Sequence, residues 1–386
     1  MNKISITTLG SLIEFQRGYD LPKTSFVEGN VPVISSNGIL GYHNEYKVKG
    51  PGITIGRSGT VGLPHYIEDN FYPHNTSLFI KDFKGNHPKY IYYLLKTLGL
   101  NDRGSGSGVP TMNRNHLHPL KVRAYLNPVY QEVIANVLTS IDSKIALNNR
   151  INAELEAMAK TVYDYWFVQF DFPFDFAQGK PSAEGKPYKS NGGKMVWSEE
   201  LKREVPEGWE VKNIGEVATV KAGGDKPAVI SSYKTKECQI PIYSNGISND
   251  GLYGYTNKAI INSQSVTISA RGTIGFCFLR NKPYVPIIRL ISLTPNLKGS
   301  AKYFYEALTH FIFENSGSVQ QQLTVPQVQN IKILYPNENV LKMFDNITSP
   351  KIDRIEIIKE ENQQLSSLRD WLLPMLMNGQ VKVSEL

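Results

Sequence analysis

Apolar residues recur at Ile134, Leu138, Ile141, Ile145, Ile151, Leu155, Met158, Val162 and Tyr165, mostly in steps of four and three. That spacing predicts a long amphipathic helix over residues 128–168, with a narrow seam suited to coiled-coil packing. Asn148 places a polar residue in the seam, after which the register slips by one residue at Ile151. About forty residues of helix span roughly 60 Å, too long for the interior of a small domain. The seam needs a partner, and residues 337–386 supply one with Ile352, Ile355, Leu365, Leu368 and Leu372. Packed antiparallel, the two helices bury Leu138, Ile141, Ile145, Ile151, Leu155 and Met158 against that second set. Pro350 predicts a kink or restart near Ser349, and Leu373 with Pro374, then Asn378 with Gly379, should loosen or end the second helix.

What precedes each helical stretch is repeated. LGSLIEFQRGYDLP (residues 9–22) faces IGEVATVKAGGDKP (214–227), with Gly10/Gly215, Gly18/Gly223, Asp20/Asp225 and Pro22/Pro227 at one constant offset. VPVISSNG (31–38) and IPIYSNG (240–246) are short β runs that end on a Ser-Asn-Gly turn signal. ITIGRSGTVG (53–62) faces VTISARGTIG (266–275), each a strand that turns on a basic residue plus glycine and resumes. A further β run follows in each copy, then a helix. In PKYIYYLLKTLG, Pro88 suits the first helical position and Gly99 the C-terminal cap. SAKYFYEALTHFIF puts Ala301, Phe304, Tyr305, Leu308 and Ile312 on one face. A Ser/Gly segment (103–108 and 315–318) and a last β run (120–126 and 331–336) complete each unit. The predicted organisation is a domain at 1–127, a helix at 128–168, an extended Pro/Gly/Ser/Lys-rich linker at 169–208, a second domain at 209–336 and a second helix at 337–386.

Composition narrows the class. The chain has 386 residues, 41% hydrophobic and 11% aromatic, as a folded protein requires. Two cysteines cannot build a disulfide framework, the first residues lack an apolar signal core, and no run approaches a membrane span. A cytoplasmic protein without a membrane partner is expected. The net charge of +7 is unevenly spread: residues 1–127 and 209–336 carry +6 each, and the remaining segments −5. Two equally basic units suggest two contacts with a polyanion.

Catalytic motifs are missing. No phosphate-binding Gly-x-x-x-x-Gly-Lys-Ser/Thr loop is present, and Gly104, Gly106 and Gly108 precede neither a helix start nor a ribose-binding carboxylate. His116 and His118 have no second ligand spacing near them, so no metal site is expected. Binding chemistry has more support. Arg57 and Arg271 sit on glycine turns, where a guanidinium can reach guanine or a phosphate oxygen; the bland alternative is a hairpin whose glycines serve only the backbone. Ser36, Asn37, Ser244 and Asn245 occupy the turns, and Tyr42, His43, Asn44, Tyr253 and Tyr255 the loops that follow. Such residues can meet adenine, phosphate or sugar, or simply pack the loop. Arg103 and Arg114 flank the Ser/Gly segment of the first copy, while Gln320, Gln321 and Gln322 occupy the equivalent place in the second. That exchange fits two domains of one fold reading different sequences.

The order of domains, the paired helices, VPEGWEVKNIGEV (205–217) and LRDWLLPMLMNGQVKV (368–383) together resemble the DNA-specificity subunit of a type I restriction–modification system. The resemblance covers the whole chain. It implies an α+β fold of two β-rich target-recognition domains and two long helices packed as an antiparallel coiled coil, related by a pseudo-twofold. It further implies that each domain reads half of a split site in double-stranded DNA, with the helices as a ruler between the halves. Two modification subunits carrying S-adenosylmethionine, and restriction subunits using ATP and Mg, are the implied partners; this chain itself binds no cofactor. The absence of an Asn/Asp-Pro-Pro-Tyr/Phe motif agrees with a non-catalytic role. The competing reading is a duplicated scaffold that binds a polyanion or protein without reading DNA sequence.

Overall fold

The structure, a computed structural model, describes residues 4–103, 111–311, 313 and 322–383. The chain divides into two compact units, residues 1–150 with 358–386, and residues 151–357.

In the first unit β1 (Ile4–Thr8) leads through the one-turn helix α1 (Leu9–Leu12) into β2 (Glu14–Arg17). β3 (Val31–Ser35), β4 (Gly38–His43), β5 (Gly52–Gly56), β6 (Pro64–Ile67), β7 (Tyr72–Pro73) and β8 (Ser77–Asp82) follow. Helix α2 (Pro88–Lys96), the short α3 (Arg114–Leu117) and β9 (Lys121–Tyr125) close the domain, and the long α4 (Pro128–Tyr163) leaves it. The strands pair as β1-β9, β2-β8-β5-β6 and β4-β3-β7, with only the β3/β7 pair parallel.

The second unit opens on β10 (Pro173–Asp175), β11 (Lys180–Pro181), β12 (Lys186–Pro187), β13 (Met195–Ser198) and β14 (Arg203–Pro206). Then the first unit's order returns: β15 (Glu210–Asn213), α5 (Ile214–Val217), β16 (Ala218–Ala222), β17 (Ile240–Tyr243), β18 (Leu252–Thr256), β19 (Ser265–Ile268), β20 (Cys277–Arg280), β21 (Val285–Pro286) and β22 (Ile291–Pro295). Helices α6 (Ala301–Thr309) and α7 (Val325–Gln329), strand β23 (Lys332–Tyr335) and the long α8 (Glu338–Met377) complete it. The pairing repeats as well: β15-β23, β16-β22-β19-β20 and β18-β17-β21, with β17/β21 parallel. Two domains of one α+β fold are therefore present. The shared glycines have a steric reason. A Cβ on Gly18 would meet the His74 carbonyl oxygen at 2.1 Å, and one on Gly223 the Pro286 carbonyl carbon at 2.7 Å.

Each unit has its own apolar core. The first gathers Leu9, Phe15, Ile53, Ile55, Tyr90 and Leu94 with Ile134 and Leu138 of α4 and Leu376 and Met377 of α8. The second gathers Ile214, Val266, Ile268, Leu293 and Phe304 with Tyr163 of α4 and Val340, Leu341 and Phe344 of α8. Each long helix thus contributes one end to each core.

Within the first unit the two long helices run antiparallel. Asp142 meets Arg369 at 2.9 Å, Lys144 meets Glu361 at 3.5 Å, and Asn148 Nδ2 donates to Glu361 Oε2 at 2.9 Å and to Asn362 Oδ1 at 2.8 Å. Asn362 Nδ2 in turn donates to Asn149 Oδ1 at 2.8 Å. The expected slip after Asn148 does not occur. Asn148 is 1% exposed and Asn152 is also buried, so Leu138, Ile141, Ile145, Asn148, Asn152, Leu155 and Ala159 keep unbroken three–four spacing. Met158 is consequently 52% exposed, with Ala159 buried in its place. On α8, Ile352, Ile355 and Ile358 are buried, Leu365 and Leu372 are half-buried, and Leu368 points outward beside Trp371.

Two further expectations meet the structure. Helix α8 runs without a restart through both Pro350 and Pro374 to Met377, and its end falls at Asn378 and Gly379 as expected. It ends where Gly379, at φ 72°, lets Gln380 N–H reach the Met375 carbonyl at 2.9 Å and Gly379 N–H the Leu376 carbonyl at 3.2 Å, a left-handed glycine cap. The segment over 169–208 is folded. Phe170, Phe172 and Tyr188 are buried, Phe172 stacks between Tyr188 (4.7 Å) and Trp209 (5.1 Å), and Asp171 accepts from Ser190 N–H at 2.7 Å and its hydroxyl at 2.6 Å. Aromatic burial outweighs the flexibility that its Pro, Gly and Lys content implied. Among the described residues no helix is long and apolar enough to cross a membrane, and no group of three or more His, Cys, Asp or Glu is placed to hold a metal ion.

Candidate nucleic-acid interface

In the first domain the chain after β5 is fixed by backbone bonds. Gly62 N–H donates to the Gly56 carbonyl at 2.9 Å, Arg57 N–H to the Thr76 carbonyl at 2.8 Å, and Met112 N–H to the Arg57 carbonyl at 2.8 Å. Arg57 is thereby held at the wall of an open pocket of about 640 Å³. Arg114 lines the same pocket from the start of α3, whose cap is the Asn113 side chain accepting from Asn115 N–H at 3.0 Å. Arg17, Gln16, Tyr19 and Asp20 complete the wall. Arg17 lies 3.5 Å from the Asp20 carboxylate, which also accepts from the Asn75 amide, and Gln16 Nε2 donates to the Tyr19 hydroxyl at 3.2 Å. Three guanidiniums against one carboxylate make this an anion-attracting concavity with planar donors of the kind that read guanine or grip phosphate. Arg17 was missed in the sequence because it sits in a strand, ahead of the loops that drew notice.

The other first-domain candidates separate. Asn37, Tyr42 and Asn44 are exposed. Ser36 and His43 are buried and occupied: Ser36 N–H donates to the Thr76 hydroxyl at 3.3 Å, and His43 Nδ1 accepts from Val27 N–H at 3.1 Å between Phe26 and Tyr72. Both bonds hold the loops in place. His118 is half-buried, its Nε2 accepting from Phe15 N–H at 3.0 Å, and burial holds its imidazole below its ordinary pKa. The side chain of Arg103, all of Gln320 and Gln321, Ile312, and the segments 104–108 and 315–318 lie outside the described residues.

In the second domain Arg271 is exposed and donates through Nε (3.2 Å) and Nη2 (2.9 Å) to Gln322 Oε1, so these two candidates meet. Tyr253 is exposed with the Lys226 ammonium over its ring at 4.5 Å, whereas Tyr255 is half-buried and its backbone pairs with Ser231. Ser244 is half-buried, its N–H donating to the Gly251 carbonyl at 2.9 Å. The Asn245 amide bridges two backbone groups, accepting from Ala270 N–H at 2.8 Å and donating to the Ile288 carbonyl at 2.7 Å. Beneath the next loop lies Arg280, a buried arginine that polarity alone did not mark. Its Nε donates to Thr267 Oγ1 at 2.9 Å and Nη2 to the Asp250 carbonyl at 2.7 Å, and its guanidinium lies 3.5 Å over the Tyr243 ring. Burial lowers its pKa and the Tyr243 ring partly offsets that.

The two domains are alike in frame and different at the reading surface. Gly275 N–H bonds the Ser269 carbonyl as Gly62 bonds Gly56, and Leu323 N–H bonds Ala270 as Met112 bonds Arg57. In register, Arg57 therefore matches Ala270, and Arg271 matches Ser58. The two arginines thus stand one residue apart in register. By the same frame Arg17 matches Ala222 and Arg114 matches Val325.

The sequence matches the family of type I restriction modification DNA specificity domains over residues 1–157 and 206–367. The chain belongs to that family. It is 26% identical over 321 residues to the type I restriction enzyme MjaIX specificity subunit of Methanocaldococcus jannaschii, covering 77% of this chain and 70% of that protein. It is 24% identical over 310 residues to the HindI specificity subunit of Haemophilus influenzae, covering 65% and 67%. In fold it is similar to the crystal structure of the S subunit of a type-I restriction-modification system from M. genitalium, with a TM-score of 0.66 at 18% identity over 97% of this chain and 96% of that one. The role of this specificity subunit is non-catalytic: it supplies DNA sequence specificity to a type I restriction–modification system.

Proposed function

We propose that each domain reads one half of a split site in double-stranded DNA, the first through Arg57 and Arg114 with Arg17, the second through Arg271 and Gln322 with Tyr253. Asn37, Tyr42 and Asn44 supply further contacts at the first half. The observation that carries this reading is one strand order used twice with unlike residues at the same loop positions, Arg57 against Ala270 and Ser58 against Arg271. Such a duplication keeps the docking geometry and changes the sequence read. Phosphate contacts from two basic domains would give salt-dependent affinity, and the arginines would choose bases. Two linked readers gain affinity only at the spacing their connection allows. In this reading the long helices set that spacing. Two modification subunits bring S-adenosylmethionine and methylate adenine, restriction subunits bring ATP and Mg, and the assembly works in the cytoplasm.

The test is to co-express the chain with its methyltransferase subunit and sequence the host DNA for modified adenine. A split motif with a fixed gap is expected, lost when this chain is removed. Arg57→Ala with Arg114→Ala should relax one half-site only, because each bidentate arginine–guanine contact contributes about 1–3 kcal/mol of discrimination. Methylation that ignores the presence of this chain would leave a protein-binding scaffold as the better account.

A further inference from the structure

The second domain carries an irregularity that its counterpart lacks. In the first domain Arg57 and Ser58 N–H both donate directly to the Thr76 carbonyl, at 2.8 and 3.2 Å. In the second, the residue in register with Ser36 is Asn245, and its longer side chain is inserted between the two turns. It accepts from Ala270 N–H on one side and donates to the Ile288 carbonyl on the other. The turn after β21 then passes through Ile288 at φ 53° and Arg289 at φ 63°. Two consecutive left-handed residues without glycine, one of them β-branched, persist only where the surroundings enforce them. Here the enforcement is visible. Ile288 N–H donates to the Gly224 carbonyl at 2.9 Å, Arg289 N–H to the Gly223 carbonyl at 3.2 Å, and the Asn245 amide holds the Ile288 carbonyl. Both side chains are turned to solvent, and the Arg289 guanidinium has no hydrogen-bond or ionic partner among the described residues.

We propose that Arg289 is a sequence-determining residue of the second domain, contacting a guanine edge, and that Asn245 is the positioning residue that joins the Arg289 turn to the Arg271 turn as one reading edge. The inference rests on the reading of each domain as a half-site reader. A surface arginine needs no strained frame to meet phosphate, where a flexible side chain suffices. A fixed bidentate donor does need one.

The experiment uses the full chain in complex with its methyltransferase subunits, with adenine methylation read across host DNA. Arg289→Ala is expected to lower discrimination at a single base pair by about tenfold or more. That base pair should lie in the half-site that Arg57→Ala leaves intact. Asn245→Asp keeps the acceptor for Ala270 N–H and removes the donor to Ile288, so it should reproduce the Arg289→Ala loss while the base read by Arg271 stays specified. An Arg289→Ala pattern identical to wild type overturns the inference. So does a uniform weakening at every site with a shallower salt dependence, the signature of a phosphate contact. A wild-type complex without a split motif overturns the half-site reading itself, and this inference with it.

Discussion

Glu306→Ala is expected to lower the unfolding free energy of the second domain by about 3–5 kcal/mol, the usual cost of leaving one member of a buried ion pair without its partner. Glu306 Oε1 lies 2.6 Å from Lys302 Nζ on α6, with side chains 5% and 6% exposed, and the ammonium also sits 4.7 Å over the Tyr305 ring. Removing the carboxylate leaves a buried cation with only a ring face to meet it. The pair also serves the junction with α4. Tyr163, at the end of that helix, stacks on His310, and its phenol is held well above its ordinary pKa by burial first and by the Glu306 charge second. The double replacement Lys302→Met with Glu306→Leu removes both charges and is expected to be neutral or stabilising by about 1–4 kcal/mol. Urea denaturation followed by tryptophan fluorescence separates these outcomes. The pair of Lys194 and Glu207 is the control: its lysine is fully exposed, and Glu207→Gln should leave the midpoint where it is.

The frame was legible because repetition carries its own check. Gly18 and Gly223 match at a fixed offset, and both turn out to face a backbone that admits no Cβ. Counting apolar residues alone makes the seam slip at Asn148 to Ile151, whereas the structure keeps Asn148 and Asn152 in it. The Asn148 side chain stays inside because Glu361 and Asn362 satisfy it. The segment over 169–208 was misread from composition, which averages away Phe170, Phe172 and Tyr188, the few residues that decide its fate. Site residues were hardest. Ser36, His43 and Asn245 have the chemistry of DNA contacts, yet Ser36 is buried, and His43 and Asn245 spend their side chains on the protein's own backbone. Arg57 and Arg271 look equivalent when aligned on arginine and glycine. Faced without gaps, residues 53–62 and 266–275 set them one residue out of step, and the hydrogen-bond frame keeps that register. Arg289 carried no signal, since nothing in VPIIRL announces a left-handed turn.

Duplicating one heptad in each long helix, residues 145–151 and 359–365, is expected to abolish methylation at the original site and to create a site whose half-sites lie about three base pairs further apart. Seven residues add roughly 10.5 Å of helix, and base pairs rise by about 3.4 Å. The choice of seven follows from the seam. At about 100° per residue, four residues turn the helix through roughly 400° and rotate the apolar stripe about 40° off its partner, whereas seven leave it within about 20°. A one-turn change would therefore lose recognition through mispacking as readily as through altered length, and could not tell a ruler from a damaged helix. The duplicated segments also carry the polar layer with them. Asn148 faces Glu361 and Asn362, so the insertion repeats a satisfied layer, and the tie from Tyr93 to Asp142 at 2.8 Å and on to Arg369 at 2.9 Å stays intact beside the first domain. That layer should also keep the new register single. A slip by one heptad would set amides against apolar side chains, each buried unsatisfied group costing about 1–3 kcal/mol. If the lengthened chain still directs methylation to the original spacing, the helices do not measure the gap, and the half-sites must be placed by the methyltransferase subunits instead.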